Sequence, residues 1–316
     1  MKKYLIIATL CTALALLAGC TSTTTNQNGT VISTKQVSQK QRDEVYALVK
    51  GNNYLRIGEL NNAINQYKIA SQINPKNTTT LNQIGVLYGE SGNYSESLIY
   101  LNKAYSINKS SAETLYNLSY LNYIQNSYPT AYGYIVQIQP QDYSENILNL
   151  KFNLAMNTQN YSVAYDTFNK VLSYQKVLEI SQYNQYVSLL KTMGRSKDIY
   201  PFMVSLNTAF PNNEKITLYF SNYFISNGAY EKAATVLKEY AIKNGYSDPV
   251  LLQLSIVAYD EKNYIQALNY LNLVSKTSQY DQDIIMQKIQ IYTAMGQISR
   301  ADELKKVLGV SYEPTN

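Results

Sequence analysis

The sequence predicts an all-α fold of about eight helix–turn–helix repeats, and two columns of residues support that prediction. The first column consists of alanines on a common 34-residue period, namely Ala63, Ala131, Ala233, Ala267 and Ala301. The second column lies five positions earlier in the same frame and contains Gly58, Gly92, Gly194, Gly228 and Gly296. Because glycine ends a helix and opens a turn, each unit has room for two short helices that pack on the next unit.

Repeats that begin at residues 44, 78, 112, 145, 180, 214, 248 and 282 place these columns at positions 20 and 15. Position 8 carries small residues that let two helices approach closely, and these are Gly51, Gly85, Ser119, Ser221 and Ser255. Position 17 carries Tyr94, Tyr128, Tyr161, Tyr230 and Tyr264. The middle repeats depart from the pattern, since Phe152 and Val187 occupy position 8 and Ile199 occupies position 20.

The first repeat resembles the tetratricopeptide repeat (TPR) family, whose 34-residue unit has small residues at positions 8 and 20 and tyrosine at position 11. The matching residues are Gly51, Tyr54, Gly58, Ala63, Tyr67 and Ala70. The resemblance implies a right-handed superhelical TPR solenoid whose first helices line a concave, peptide-binding face. The chain has no tryptophan, so position 4 is Ala47, Leu81, Leu115 or Leu251. An ordinary all-helical domain with accidental periodicity is the alternative.

The first twenty residues resemble the signal of a bacterial lipoprotein. Lys2 and Lys3 form a charged start, and residues 4–17 are apolar but too few to span a bilayer comfortably. Leu17-Ala18-Gly19-Cys20 is similar to a lipobox, which implies a signal peptide over residues 1–19 and cleavage before Cys20. The resemblance also implies a diacylglycerol and an amide-linked acyl chain, such as palmitate, on Cys20. A plain secretory signal or an uncleaved anchor is the alternative.

Residues 20–43 are predicted to form an acylated N-terminus and a flexible tether before a repeat domain over residues 44–316, which ends in a short C-terminal tail from Gly309 to Asn316. The tether is nearly all Thr, Ser, Asn, Gln and Lys, although the first helix can extend back toward Val37. About twenty flexible residues span roughly 25 Å. Thr21 and Ser22 lack the aspartate associated with inner-membrane retention, so we expect a lipid-anchored protein of the bacterial outer membrane.

The composition argues against an enzyme. The chain has no histidine, Cys11 leaves with the signal and Cys20 is acylated, so Ser–His, Cys–His and imidazole metal sites are excluded. We expect no cofactor apart from the covalent lipid on Cys20. The formal net charge of +5 falls to +3 without Lys2 and Lys3, and no basic run is present, so we expect no nucleic-acid partner.

A peptide-binding surface is the remaining candidate site. The TPR resemblance assigns the concave face to positions 2, 5, 9, 12 and 13 of each first helix. Asparagine offers a donor and an acceptor to a peptide unit, and tyrosine offers apolar area with a polar tip. The candidate peptide-binding residues are Asn52, Asn82, Tyr116, Tyr120, Tyr123, Asn149, Asn153, Asn184 and Asn222. Codon bias in an AT-rich genome is the alternative source of these residue types.

Three functions are compatible with this organisation. The first is a lipid-anchored scaffold or adaptor that recruits or assembles envelope proteins. An extended, mostly neutral peptide or a helix of the partner would lie in the groove formed by the concave TPR face. The layout of the chain is similar to that of lipoproteins of pilus assembly and of adaptors of peptidoglycan hydrolases. The second is a permanent structural subunit of an outer-membrane assembly complex. The third is an enzyme, which the residues do not favour.

Overall fold

The computed structural model describes residues 38–174, 177–275 and 281–308. Within these ranges the chain forms sixteen α-helices. They are α1 Gln39–Arg56, α2 Leu60–Ile73, α3 Thr78–Glu90, α4 Tyr94–Ile107, α5 Ala112–Ile124, α6 Tyr128–Ile135, α7 Glu145–Asn157, α8 Tyr161–Ser173, α9 Ile180–Thr192, α10 Ile199–Ala209, α11 Glu214–Ser226, α12 Tyr230–Asn244, α13 Asp248–Asp260, α14 Tyr264–Leu273, α15 Asp281–Ala294 and α16 Ile298–Val307. The predicted signal peptide 1–19 and Cys20 lie outside the described residues.

The odd-numbered helices are the first helices of the repeats and are called A helices; the even-numbered helices are called B helices. Six A helices, from α3 to α13, begin at the residue where the predicted repeat begins. Helix α1 instead begins at Gln39, because Ser38 and Gln41 form a capping box at its N-terminus. Residues 39–43 therefore belong to α1 and not to the tether. Among the described helices, none combines the length and hydropathy that a membrane-spanning segment requires.

One residue of the turn between the A and B helices, at position 15, has a positive φ in all eight repeats. Five repeats have glycine there, with φ values such as +80° at Gly58 and Gly92. The other three repeats reach φ values of 59°, 59° and 62° with Asn126, Gln159 and Lys262. The residue in the left-handed conformation ends the A helix and reverses the chain. The 34-residue period of the sequence therefore corresponds to the regular recurrence of this turn.

Close packing of A on B helices depends on the small residues at positions 8 and 20. The alanine column is fully buried, and a β-carbon added at Gly85 would lie 2.6 Å from the Leu101 side chain. Two serines add hydrogen bonds across these contacts: Ser97 Oγ donates to the Gly85 carbonyl at 2.6 Å, and Ser119 Oγ donates to the Ala131 carbonyl at 2.9 Å. The all-α repeat fold predicted from the sequence is thereby confirmed.

Repeats four and five lack this close backbone approach. Phe152 at position 8 packs on Phe168 of α8 with ring centroids 5.1 Å apart, so side chains rather than backbones make the contact. In repeat five a 3-10 turn at Ser196–Asp198 precedes α10, which begins only at Ile199. The chain divides here into two compact units. The N-terminal unit ends at Val171, and the C-terminal unit begins at Leu172.

Candidate binding surfaces

Two predicted asparagines of the N-terminal unit are used inside the fold. The Tyr67 hydroxyl donates to Asn52 Oδ1 at 2.5 Å, which joins α2 to α1. Asn82 is only 1% exposed, and its amide donates to Thr114 Oγ1 at 2.9 Å. Asn82 does not line an open surface, because α5 packs over this part of α3. Its role is to connect repeats two and three.

The three predicted tyrosines of α5 take part in two aromatic contacts. The rings of Tyr116 and Tyr120 stack with centroids 6.2 Å apart, and Tyr123 packs on Tyr128 at 5.7 Å. Burial raises the pKa of Tyr116 to about 12, whereas Tyr120 is 40% exposed. We call Tyr116, Tyr120 and Tyr123 the tyrosine strip. Within it, the half-buried Tyr116 ring supports the exposed Tyr120 ring. Asn149 and Asn153 lie half-buried on α7.

The two predicted asparagines of the C-terminal unit lie in one cleft between α9, α10 and α11. This polar cleft encloses about 550 Å³. The Tyr219 hydroxyl donates to Asn184 Oδ1 at 2.9 Å, and the Tyr219 ring stacks on Tyr183. Burial raises the pKa of Tyr219 to about 12, so this hydroxyl stays protonated at neutral pH. The cleft is lined by Asn184, Val187, Lys191, Ser196, Ile199, Met203, Tyr219, Asn222, Tyr223, Ser226 and Asn227.

A second concave surface of the C-terminal unit is mainly apolar and was not singled out from the sequence. It lies along the A helices α11, α13 and α15 as two adjoining hollows of about 430 and 300 Å³. We call it the apolar groove. It is lined by Leu218, Pro249, Leu252, Gln253, Ile256, Tyr259, Asp260, Asp283, Met286, Gln287, Gln290 and Ile291.

The apolar groove occupies the frame positions that were expected to bind a partner. Leu252 and Ile256 are positions 5 and 9 of repeat seven, and Met286 is position 5 of repeat eight. The sequence-based prediction names only asparagine and tyrosine at those positions. The frame positions of the apolar groove agree with that prediction, but its residues are leucine, isoleucine and methionine. Met286 is 53% exposed although it is apolar, which marks an open contact surface.

The charged residues of the apolar groove are acidic. Asp260 and Asp283 are among its lining residues, and burial raises the pKa of Asp260. No lysine or arginine is among these lining residues, all of which the structure describes. Across the described residues, no group of three or more acidic or thiol side chains is arranged to hold a metal ion. The groove can therefore accept apolar side chains and donors, but it offers no anion site.

Comparisons with known proteins agree with the repeat architecture. Residues 51–92 match the family model described as TPR repeat, which confirms the predicted family resemblance for that segment. No curated protein matches the chain.

Several solved structures are similar at low identity. A tetratricopeptide repeat protein from Parabacteroides merdae is 15% identical, with 80% of this chain and 99% of that chain covered and a TM-score of 0.47. PilF of Pseudomonas aeruginosa is 15% identical over 82% of this chain and 100% of its own, with a TM-score of 0.41. PilW, described as a type IV pilus biogenesis factor, is 15% identical over 75% and 92%, with a TM-score of 0.39. Similarities of this size do not indicate what this chain binds.

Proposed function

We propose that this chain is a lipid-anchored adaptor of the bacterial cell envelope that binds segments of partner proteins on its A helices. The partners would belong to envelope machinery such as pilus or secretion assemblies, or would be peptidoglycan hydrolases. The lipobox at Cys20 supports the anchor, and the repeat architecture supports protein binding. The apolar groove is the observation that carries the proposal.

The apolar groove suits a peptide segment better than a small hydrophilic ligand. Leu252 and Ile256 form an apolar floor, and Met286 contributes an unbranched side chain that adapts to different partners. The exposed Gln290 supplies a donor and an acceptor for a peptide backbone along the same surface, whereas the Gln253 amide is held by Ser221 Oγ and the Leu218 carbonyl. A peptide segment with regularly spaced apolar side chains would place those side chains on the apolar floor and its backbone against the glutamine side chain.

The tyrosine strip provides a separate candidate surface on the N-terminal unit. Its exposed Tyr120 ring is supported from beneath by Tyr116, which reduces the entropy lost when a partner orders it. Asn153 lies in the next A helix and is a suitable position for a probe, because it is half-buried rather than enclosed.

The test is photocrosslinking of the full chain in its own cells, with a photoreactive residue at Met286 or at Asn153. We expect a dominant envelope protein to be captured at Met286, and Ile256→Asp to remove that adduct. A probe at Asn269, an exposed position on the B helix α14, is the matched control and should not capture the same protein. Equal capture at Asn269, or no effect of Ile256→Asp, would show that the apolar groove is not the binding surface.

Copurification of the captured protein without irradiation distinguishes an adaptor from a permanent subunit, because a covalent photoadduct cannot dissociate. An adaptor exchanges its partner, so the complex should dissociate when membranes are diluted into detergent. A stoichiometric complex that survives detergent would instead favour the permanent structural subunit.

A further inference from the structure

The polar cleft exists because repeat five breaks the packing rule of the other repeats. Position 8 is Val187 and position 20 is Ile199, where most repeats have glycine or serine and alanine. The branched side chains and the 3-10 turn before α10 keep the two helices of this repeat apart. Departures from local packing rules often occur at functional sites, since a close-packed repeat would leave no cavity.

The lining of the polar cleft combines uncharged polar groups with an apolar floor. Three asparagines, two serines and two tyrosines provide donors and acceptors, whereas Val187, Ile199 and Met203 are apolar. Among the described residues that line the cleft there is no carboxylate, and the one cation is Lys191 on the exposed last turn of α9. This chemistry suits a neutral ligand with many hydrogen-bonding groups and an apolar face.

Several of these polar groups are already held in place. The Asn184 oxygen accepts from Tyr219, so the orientation of its amide is fixed while the amide nitrogen takes no part in that bond. Asn227 Nδ2 donates to the Tyr223 carbonyl at 2.6 Å, and Ser226 Oγ donates to the same carbonyl at 2.9 Å. Fixed side chains lose little entropy when a ligand binds.

We propose that the polar cleft binds a neutral oligosaccharide that carries N-acetyl groups. A pyranose ring presents equatorial hydroxyls and an apolar C–H face, which match the asparagine amides and the floor of Val187, Ile199 and Met203. An acetamido group adds an amide that pairs with an asparagine side chain and a methyl that contacts the apolar floor. The site is distinct from the apolar groove, and neither proposal depends on the other.

The geometry favours a saccharide over an extended peptide. The cleft is bounded by three helices of repeats five and six, whereas a peptide in extended conformation is best accommodated by a groove that continues across several A helices. Its volume of about 550 Å³ is within the usual range for a compact ligand, so we expect the cleft to enclose one or two rings of the oligosaccharide while the others extend outside it.

The test is calorimetric titration of the full-length chain in detergent with chitotetraose, which carries an N-acetyl group on each ring, and with cellotetraose, which carries none. We expect chitotetraose to bind at least about tenfold more tightly, because each lost amide pairing weakens binding. Raising the salt concentration should leave the affinity unchanged, since the ligand is neutral. Asn222→Trp fills the cleft from an exposed position and should abolish binding.

The matched control is Asn269→Trp, which adds the same ring at an exposed asparagine outside the cleft and should bind as the unmodified chain does. Thermal unfolding of both variants checks that they are folded. Absence of chitotetraose binding, equal affinity for the two saccharides, or binding that survives in Asn222→Trp would overturn the proposal. Binding of an uncharged blocked tetrapeptide in place of the saccharides would identify the cleft as a peptide site instead.

Discussion

At the scale of single residues, the turn at position 15 shows how a repeat tolerates sequence change. Five of the eight turns use glycine, and the others place Asn126, Gln159 and Lys262 in the left-handed region. This conformation costs a residue with a β-carbon about 1–2 kcal/mol, although asparagine is penalised less. The left-handed conformation is retained in these three repeats because the packing of the A helix on the B helix outweighs its cost.

Lys262→Gly and Gln159→Gly should therefore stabilise the protein by roughly 0.5–1 kcal/mol each, after the entropy cost of glycine in the unfolded chain is subtracted. Urea denaturation of the single variants measures this gain. Lys262→Ala is the control, since alanine keeps the β-carbon and should give no such gain.

The converse change distinguishes backbone strain from crowding. A β-carbon at Gly92 meets no atom within 4 Å, and the same is true of Gly133, which lies inside α6. Gly92→Ala should destabilise by about 1–2 kcal/mol because its φ is +80°. Gly133→Ala should stabilise by about 0.5–1 kcal/mol through helix propensity. Equal effects of the two substitutions on the melting temperature would contradict this account.

Buried tyrosines predict a loss of stability at high pH. Burial raises the pKa of Tyr67, Tyr116 and Tyr219 from 10.0 to about 12 in the folded chain. Below about pH 10 these tyrosines are protonated in both the folded and the unfolded chain, so their contribution to the free energy of unfolding is fully present. It is lost as the pH rises toward 12, because the tyrosines of the unfolded chain ionise first. The free energy of unfolding should fall above about pH 10. Tyr67→Phe should lower stability at pH 8 through the lost bond to Asn52, but it should make the fall at high pH shallower.

At the scale of helices, the residue at position 8 decides how closely two helices of a repeat approach. Gly85 faces Leu101 and the Ser97 carbonyl, and a β-carbon there would lie 2.6 and 3.2 Å from these atoms. Gly89, one turn further along α3, would place its β-carbon 3.3 Å from Ser97 Oγ. Only the first position has no room for a methyl group, so the two glycines of α3 differ in function.

Gly85→Ala should destabilise the N-terminal unit by about 1–3 kcal/mol, because α3 and α4 must move apart. Gly89→Ala in the same helix should change stability by less than about 1 kcal/mol, since helix propensity offsets a small adjustment of Ser97. Thermal unfolding monitored by circular dichroism compares the pair. A Gly85→Ala protein as stable as the Gly89→Ala protein would show that close backbone approach is not required.

At the scale of the whole molecule, the proposed anchor and the binding surfaces are separable. Cys20→Ala should move the chain from the membrane fraction to the soluble fraction, because no acyl chain can be attached. Ile256→Asp, with the photoreactive residue kept at position 286, should leave the chain in the membrane fraction and remove its crosslinks at the apolar groove. Immunoblots of fractionated cells measure both, and a Cys20→Ala chain that stays in the membrane fraction without its lipid would contradict the anchor.

The organisation of the C-terminal unit also explains why one array can carry two kinds of site. Helix α11 contributes Leu218 to the apolar groove and Asn222 to the polar cleft. Because these two residues are four positions apart, they lie on nearly the same face of α11, about one turn from each other along its axis. The same helix face therefore contributes to both surfaces at different points along its length.

The repeat period, the first residues of six A helices and the positions of the turns were predictable from local sequence patterns. These features depend on interactions within about one turn of helix, such as a side-chain cap at Ser144 or a left-handed glycine at Gly228. The columns that face a partner were also readable, because positions 5 and 9 fall on one face of each A helix.

Which of those residues remain accessible to a partner depends on the packing of helices from different repeats. Asn82 is covered because Thr114, on another repeat, lies within hydrogen-bonding distance, whereas Asn222 stays exposed beside a repeat that does not close. The apolar groove and the polar cleft likewise depend on helices about 34 residues apart meeting side by side. Burial is a property of neighbours that are distant in the chain, so the local pattern of a single helix cannot specify it.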